Sequence, residues 1–269
     1  MLRLFSPAKI NLFFRVLGSR PDGYHEVATL MQAISLGDTL FVQAGEKESL
    51  TCTDPTLPCD SSNLILKAAH LFREKTGCNI KGEFHLVKRT PIQAGLGGGS
   101  SNAATTLWAM NQISGQKIDV ETLKKWASFL GADVPFFLSK GTAYCTGKGE
   151  LIQERPASKN HSFWIAKPKE KLATPDVYRA LNLKLLPERA PLKDWEKDHY
   201  FNDLEIPAFQ LCPSLQLLRE QLYNLGFKTV VLSGSGTAFF CFGAASNPSL
   251  KEINFYPVEF IQRQEEKWY

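Results

Sequence analysis

Hydrophobic residues recur along this chain with two different spacings, one typical of strands and one typical of helices. In the first half, apolar runs rich in Leu, Ile, Val and Phe predict strands over residues 2–17, 27–34, 39–43, 50–53, 83–87, 142–145 and 150–154. Apolar positions at helical spacing predict helices over 63–76, from about 101 to 113, and over 120–130. The first helix has Asn63 as its expected N-cap and Gly77 as its stop signal.

The second half continues in the same mixed pattern. It predicts strands over 163–166, 229–232 and 238–242, a helix that begins at Thr174-Pro175 with the threonine as its cap, and a helix over 214–225. A linker over 155–160 and a densely charged segment over 184–198 are expected to lie outside the core. The mixture indicates an α+β protein. Since 269 residues allow one large domain or two smaller ones, the linker favours a division into 1–155 and 156–269.

Two polar residues interrupt the first predicted strand. Lys9 and Asn11 are two positions apart, so their side chains project from the same face. A charge within an apolar strand is costly unless it has a partner, which favours a functional role for Lys9. The alternative is a surface lysine whose side chain extends until its ammonium reaches solvent.

The segment from Gly95 to Asn102 has the clearest chemical signature. Its glycines open the backbone to positive φ angles and leave no side chains between the amide groups and a ligand. The helix that follows adds unpaired N–H groups and the positive end of its dipole, which together favour a phosphate. The segment lacks the lysine of a Walker loop, and Ser100 stands where a dinucleotide fingerprint needs glycine or alanine. A turn without function is the alternative, but so many glycines are costly unless something approaches the backbone closely.

Composition and charge narrow the class of protein. Lys and Arg exceed Asp and Glu by 31 to 27, a net charge of +4 that is too small and too dispersed to indicate nucleic-acid binding. No apolar run approaches the roughly 18 residues of a membrane helix, and Lys9 interrupts any signal-peptide pattern, so a cytoplasmic protein is expected. The six cysteines form no C-x-x-C pair, which favours packing residues in a reducing compartment over a disulfide framework.

Several stretches in register resemble the GHMP kinases, small-molecule kinases named for galactose, homoserine, mevalonate and phosphomevalonate. They are Pro7–Leu12, Arg20–His25, Pro91–Asn102, Leu130–Phe136 and Leu232–Gly236, and the likeness extends from residue 3 to about residue 242. The resemblance implies an ATP- and Mg²⁺-dependent enzyme that phosphorylates a small-molecule alcohol with a cytidine diphosphate head group. It also implies a two-domain fold, with a ribosomal S5-like N-terminal domain, a ferredoxin-like C-terminal domain and the active site between them. Neither nucleic acid nor a membrane is expected as a partner, and a monomer or weak homodimer is expected.

The resemblance also assigns residues to roles. Asp133 would accept or orient the proton of the acceptor hydroxyl, while Lys9 would keep that aspartate ionised and stabilise the transferring phosphoryl group. The residues implied for ATP are Pro91, Ile92, Gln93, Ala94, Gly95, Leu96, Gly97, Gly98, Gly99, Ser100 and Ser101, with Asn63, Leu64 and Lys88 near the adenine. Those implied for the acceptor are Asn11, Tyr24, His25, Thr174, Tyr178, Gly234, Ser235 and Gly236. No residue is assigned as a metal ligand.

Some of these residues have simpler interpretations from their chemistry alone. Asp133 would also serve as a turn cap, and Ser100 and Ser101 as helix caps. Tyr24 and Tyr178, which would stack on the two faces of a pyrimidine, would also serve as core residues.

Two rival functions remain open at this point. One is another GHMP kinase that acts on homoserine, mevalonate or a sugar. The Arg20–His25 loop and Tyr178 argue against it, because they suit a substrate that contains cytosine. The other is a non-catalytic nucleotide-binding module. The presence of Lys9 and Asp133 argues against it.

Overall fold

Two β-sheets organise the computed structural model, which describes residues 1–156, 162–189, 192, 199–243, 246–264 and 267–269. The strands are β1 (Leu2–Ser19), β2 (His25–Gly45), β3 (Ser49–Cys52), β4 (Lys81–Val87), β5 (Thr142–Thr146), β6 (Leu151–Glu154), β7 (Ser162–Lys167), β8 (Phe201–Asn202), β9 (Thr229–Leu232), β10 (Phe239–Phe242) and β11 (Asn254–Glu259). The helices are α1 (Leu64–Thr76), α2 (Gly98–Ser114), α3 (Val120–Ala127), α4 (Thr174–Arg179), α5 (Glu205–Leu211) and α6 (Pro213–Asn224). Short 3₁₀ helices lie at Pro135–Leu138 and Leu183–Leu185.

The larger sheet is built around the antiparallel pair of β1 and β2. Its strand order is β3-β4-β2-β1-β8, and β5 pairs with both β2 and β6. The smaller sheet has the order β11-β7-β10-β9, with every pair antiparallel. All strands before residue 155 belong to the larger sheet, and β8 joins them from the second half by pairing with β1 at Phe13 and Phe14. The α+β class is therefore confirmed.

β2 is longer than the sequence pattern predicts. The two strands expected over 27–34 and 39–43 are one continuous strand, because the break at residues 35–36 is a bulge and not a turn. Pro7 pairs with Gly37 while the next residue, Ala8, pairs with Ile34, so the extra residues of β2 are absorbed without ending the strand. This bulge was indistinguishable from a Gly-Asp turn in the sequence.

The sequence pattern missed β8, α5 and β11 of the second half, and α2 of the first half begins earlier than predicted. α5 is short and contains Pro207, so it shows little helical periodicity. β11 contains Pro257, which strands tolerate at a sheet edge, the position that β11 occupies. α2 begins at Gly98 and not near residue 101, so the last glycines of the loop form its first turn.

Both sheets share a hydrophobic core, which fixes their relative position. Ile10 and Phe13 of the larger sheet belong to the same buried cluster as Ile165 and Phe240 of the smaller sheet. Helices α1, α2 and α3 pack in a second cluster on the larger sheet, and α6 packs in a third cluster on the smaller one.

Residues 260–264 and 267–269, here called the returning segment, leave the smaller sheet and lie against the larger one. Phe260 forms a bridge with Ile34, and the Ile261 N–H donates to the Ala33 carbonyl at 3.0 Å. Trp268 donates from Nε1 to the Phe5 carbonyl at 2.7 Å. No sequence pattern indicated this contact.

The cysteines and the remaining surface segments differ in part from expectation. All six cysteines are described and free, but of these only Cys145 and Cys241 are buried, and Cys59 is exposed. Residues 157–160 of the predicted linker and most of the charged stretch 190–198 lie outside the described residues. Within the described ranges, every helix is too short or too polar to span a lipid bilayer.

Candidate active site

Two cavities meet at the glycine loop. The first has a volume of about 750 Å³ and the second about 550 Å³. Gly95, Gly97, Ser100 and Thr174 line both of them. A ligand in each cavity would therefore reach the same short stretch of backbone, which is the arrangement that a transfer between two bound molecules requires.

The glycine loop itself is shaped by backbone contacts that exclude side chains. Gly95 and Gly97 have φ angles of +76° and +68°. A Cβ on Gly95 would overlap the Ser233 carbonyl oxygen, and one on Gly236 would overlap the Gly95 amide. Since Gly97 is the N-cap of α2, the amides of the first helical turn have no partners within the helix and are available to an anion.

Lys9 is the buried cation of the first cavity. It is 3% exposed, and its Nζ donates to Asn11 Oδ1 at 2.6 Å and lies 3.4 Å from Asp133 Oδ2. Asn11 in turn donates from Nδ2 to Thr29 Oγ1 at 2.8 Å, which fixes the amide with its oxygen toward the lysine. The common face predicted for Lys9 and Asn11 is thus present, and Asn11 contacts the cavity through Lys9.

Asp133 lines the first cavity beside Lys9. It lies one residue before Val134, the N-cap of the 3₁₀ helix Pro135–Leu138, and its side chain is 33% exposed. This exposure leaves one face of the carboxylate open to a ligand while the other is paired with the ammonium. The aspartate is therefore placed to accept a proton from a bound hydroxyl.

Three aromatic side chains form the far end of the first cavity. The His25 and Tyr178 rings are stacked, with centroids 5.0 Å apart and an interplanar angle of 29°. Tyr24 is instead covered by the Lys148 ammonium, 4.4 Å from its ring centroid. Burial raises the pKa of the Tyr178 phenol, and the nearby Asp133 carboxylate raises it further, so this hydroxyl stays protonated and is a donor. Tyr178 thus stacks on His25 rather than facing Tyr24.

The turn after β9 closes the first cavity from the smaller sheet. A Cβ on Gly234 would lie 3.1 Å from Asn11 Oδ1 and 3.4 Å from Lys9 Nζ, so this turn lies directly against both. Ser235 Oγ is 2.7 Å from Thr174 Oγ1. Thr174 was predicted to cap α4, but Ala173 occupies the cap position, and the threonine hydroxyl is used in this contact instead. Gly236 packs on Gly95 and lies outside the lining of the cavity.

The second cavity runs along the glycine loop between α1 and β4. Its lining includes Asn63, Leu64, Lys88, Pro91, Ile92, Gln93, Ala94, Leu96, Gly98 and Gly99. Asn63 is the predicted N-cap of α1 and accepts from the Ile65 amide at 3.0 Å, so its oxygen is already engaged. Ser101 is fully buried and lies outside both linings, whereas Ser100 lies in both.

Lys88 pairs with a buried carboxylate, that of Asp38, which was not predicted from the sequence. Its Nζ lies 2.8 and 3.0 Å from the two oxygens of Asp38, which is fully buried. Asp38 also accepts from the amides of Arg89 and Thr90 at 2.8 and 2.7 Å and from Asn102 Nδ2 at 3.1 Å. The charge of Lys88 is therefore compensated within the protein.

Two further cations of the first cavity were not predicted. Lys148 lies between Gly147 and Gly149, whose φ angles are +72° and +116°, and Arg179 follows Tyr178 on α4. The Gly-Lys-Gly pattern was the available signal for Lys148, since a lysine held between two such glycines sits on a sharply turned backbone. Among the described residues, no group of three or more His, Cys, Asp or Glu is arranged to hold a metal ion.

Comparisons with known proteins are consistent with this geometry. Residues 63–141 match the family model "GHMP kinases N terminal domain". The chain is 51% identical over its whole length to the 4-diphosphocytidyl-2-C-methyl-D-erythritol kinase of Protochlamydia amoebophila (strain UWE25), of which it covers 93%. It is 40% identical to the chloroplastic enzyme of that name from Oryza sativa subsp. japonica, with all of this chain and 73% of the relative aligned.

A solved structure agrees with these relatives. A crystal structure of a 4-(cytidine 5'-diphospho)-2C-methyl-D-erythritol kinase superposes with a TM-score of 0.81 at 34% identity, covering 97% of this chain and 99% of that one. The similarity therefore extends over both sheets and the cleft that they share.

Proposed function

The chain belongs to the 4-diphosphocytidyl-2-C-methyl-D-erythritol kinases of the GHMP kinase family, and on this premise we propose how its cleft carries out the reaction. The enzyme transfers a phosphoryl group from ATP to the C2 hydroxyl of 4-diphosphocytidyl-2-C-methyl-D-erythritol, in the non-mevalonate route to isoprenoid precursors. The observation that supports the placement of this reaction is the meeting of two cavities at one glycine loop, with Lys9 and Asp133 in the first cavity.

The second cavity is the proposed ATP site. The amides at the start of α2 bind the phosphates, and Asn63, Leu64 and Lys88 flank the adenine together with the loop from Pro91. Mg²⁺ takes oxygen ligands and is commonly held largely by the nucleotide's own phosphates, so it needs few ligands from the protein. Ser100, which lines both cavities, offers a hydroxyl oxygen that would hold the ion, and the ion would neutralise charge on the transferring group.

The first cavity is the proposed acceptor site. Tyr24, His25 and Tyr178 surround the cytosine, and stacking on such rings is worth about 1–3 kcal/mol per base. Thr174, Gly234 and Ser235 line the same cavity, and Gly234 lies against Lys9 and the Gly95 carbonyl, so we assign these three residues to the diphosphate and methylerythritol parts of the substrate.

The proposed chemistry uses the Lys9–Asp133 pair. Asp133 accepts the proton of the C2 hydroxyl. At the same time the hydroxyl oxygen forms the new bond to the γ-phosphorus of ATP, and the bond from that phosphorus to ADP breaks. Lys9 pairs with Asp133 and stabilises the negative charge on the transferring phosphoryl oxygens. Asn11 orients the ammonium, and the carbonyl of Leu96 fixes the Lys9 backbone against the glycine loop at 2.9 Å.

The proposed organisation is two domains, 1–155 and 156–269, with the cleft between them. The core shared by the two sheets would then be the domain interface. A cytoplasmic location and a monomer or weak homodimer stay predictions.

The assignment is tested with purified protein, ATP and Mg²⁺ by offering the cytidyl substrate, mevalonate and homoserine separately. Of the three acceptors, we expect only the cytidyl substrate to give ADP release and a new C2 phosphate, detected by ³¹P NMR. Preferential phosphorylation of mevalonate or homoserine would overturn the choice of acceptor. Binding of ATP without turnover of any alcohol would instead support a non-catalytic nucleotide-binding module.

A further inference from the structure

A buried arginine holds the end of the short helix that follows Asp133. Arg263, in the returning segment, is 7% exposed. Its Nη2 donates to the Leu138 carbonyl at 2.9 Å and its Nε to the Ser139 carbonyl at 3.1 Å. Both acceptors lie at the C-terminal end of the 3₁₀ helix Pro135–Leu138, where carbonyls have no partner within the helix.

That helix touches the reacting part of the site at its other end and on its side. Asp133 is separated from it by Val134 alone, and the Val134 amide donates to the Gly131 carbonyl at 3.2 Å. Phe137 lies under the glycine loop, since a Cβ on Gly97 would be 2.9 Å from its ring. A displacement of this helix would therefore move Asp133 relative to the loop.

A helix of four residues has little stability of its own, so its position depends on its surroundings. Its residues are all buried, and the guanidinium supplies charge-assisted hydrogen bonds to two carbonyls at once. Loss of the guanidinium would leave these carbonyls buried without their donor.

Arg263 is itself anchored at several points. Its amide donates to the Lys140 carbonyl at 3.1 Å, and its Nη1 donates to the Lys267 carbonyl at 3.1 Å. Its guanidinium lies 5.4 Å from the Trp108 ring, which also packs against Trp268 with centroids 5.4 Å apart. The returning segment is thus fixed on α2 as well as on β1 and β2.

We propose that Arg263 is a positioning residue for phosphoryl transfer, acting through the 3₁₀ helix to hold Asp133 at the distance that the reaction needs. The inference rests on the role of Asp133 in the proposed function. It extends the catalytic apparatus to a segment that contributes nothing to the lining of either cavity.

The first test compares Arg263→Met with Arg263→Lys. Small displacements of a catalytic group cost up to about 100-fold in rate, so we expect kcat to fall about 10- to 100-fold for Met while KM for ATP changes less than about threefold. Arg263→Lys should keep more of the wild-type kcat than Arg263→Met. Its ammonium is still a charged donor, but it lacks the two guanidinium nitrogens that bind both carbonyls. If Met does not give soluble protein, Lys is expected to show the same split between kcat and KM in smaller degree.

Leu222→Ala is the matched control for lost stability. Leu222 is buried in α6, in the core cluster of the smaller sheet. This variant should lower Tm while leaving kcat unchanged at a temperature well below its Tm. Equal losses of kcat in Leu222→Ala and Arg263→Met at matched distance from Tm would reduce Arg263 to a structural residue and overturn the proposal.

The decisive measurement is Arg263→Met in an Asp133→Asn background. If Arg263 acts through Asp133, the second substitution causes no further loss of the residual turnover, measured as phosphorylated product by mass spectrometry after long incubation. A further loss as large as in the parent enzyme would overturn the proposal. Wild-type protein that does not phosphorylate the cytidyl substrate would refute the proposed function instead, which keeps the two failures apart.

Discussion

The site contains two lysine–aspartate pairs with the same chemistry and different surroundings. Lys9 meets Asp133 at 3.4 Å, and that carboxylate is one-third exposed and lines the first cavity. Lys88 meets Asp38 at 2.8 Å, and that carboxylate is completely buried and accepts three further hydrogen bonds.

The difference lies in how fully each charge is compensated by the protein. Asp38 has enough partners within the fold to satisfy its oxygens, so it holds the chain at residues 88–90 and the start of α2 in place. Asp133 and Lys9 compensate each other only in part, which leaves both available to a substrate hydroxyl and a phosphoryl group. Burial and the number of partners, and not residue type, therefore distinguish the structural pair from the pair that we propose to be catalytic.

Asp133→Asn tests the catalytic pair and should have the largest effect. An amide does not accept the hydroxyl proton, so we expect kcat to fall by up to about 10⁴-fold, the upper range for general base catalysis. ATP binding, measured by calorimetry, should stay close to wild type because Asp133 does not line the second cavity. Unchanged turnover would remove Asp133 from its proposed role.

Asp38→Asn tests the structural pair. The substitution leaves the Lys88 ammonium buried beside a neutral amide, and breaking a buried pair in this way costs about 3–5 kcal/mol of unfolding free energy. Lys88→Met should cost less, since Asp38 keeps the amides of Arg89 and Thr90 as donors. Denaturant unfolding measures both variants, and the reverse order of stability would contradict the role assigned to Asp38.

Lys9→Met should separate activity from stability. Loss of one preorganised donor to the transition state costs about 10²- to 10³-fold in kcat. The unfolding free energy should fall by about 1–3 kcal/mol, because the buried Asn11 Oδ1 loses its donor, whereas the partly hydrated Asp133 carboxylate adds little. Lys88→Met serves as the control with the opposite pattern. Its loss of unfolding free energy should exceed its loss in kcat when both are expressed in kcal/mol.

Glu205 is a third carboxylate, whose compensation is incomplete. Burial raises its pKa to about 7, against the opposing effects of the Leu232 amide and the Arg219 guanidinium. The folded protein therefore binds its proton more tightly than the unfolded chain, so stability falls as pH rises from about 4.5 to 7 and the loss is complete above pH 7. We expect a loss of at most about 3 kcal/mol, at about 1.4 kcal/mol per pKa unit.

Unfolding of wild type and Glu205→Gln at several pH values measures this effect. The glutamine variant should lose the pH-dependent contribution of this residue while keeping an acceptor for the Leu232 amide. Identical pH profiles for the two proteins would show that Glu205 is ionised without penalty in the folded state.

Local patterns predicted much of the site, and contacts between distant residues account for what was missed. The spacing of Lys9 and Asn11 in a strand and the density of glycines before α2 are properties of adjacent residues. The common face of Lys9 and Asn11 and the helix after the glycines are confirmed, whereas phosphate binding by the loop stays a prediction. Asp38, by contrast, resembles a turn residue after Gly37 in sequence, because its partners at 88–90 and 102 are distant along the chain. Fold class and family follow from patterns and motifs, whereas the compensation of each charge follows only from tertiary packing.

The returning segment has a consequence for the order in which the enzyme is made and becomes active. The contact between Trp268 and Phe5 joins residues 263 positions apart. At about 5–20 residues per second, a ribosome needs tens of seconds to proceed from Phe5 to Trp268, and Lys9 and Asp133 are synthesised well before the end of that time. A nascent chain therefore contains both Lys9 and Asp133 before Arg263 is made. If Arg263 positions Asp133 as we propose, full turnover is reached only after the returning segment has docked.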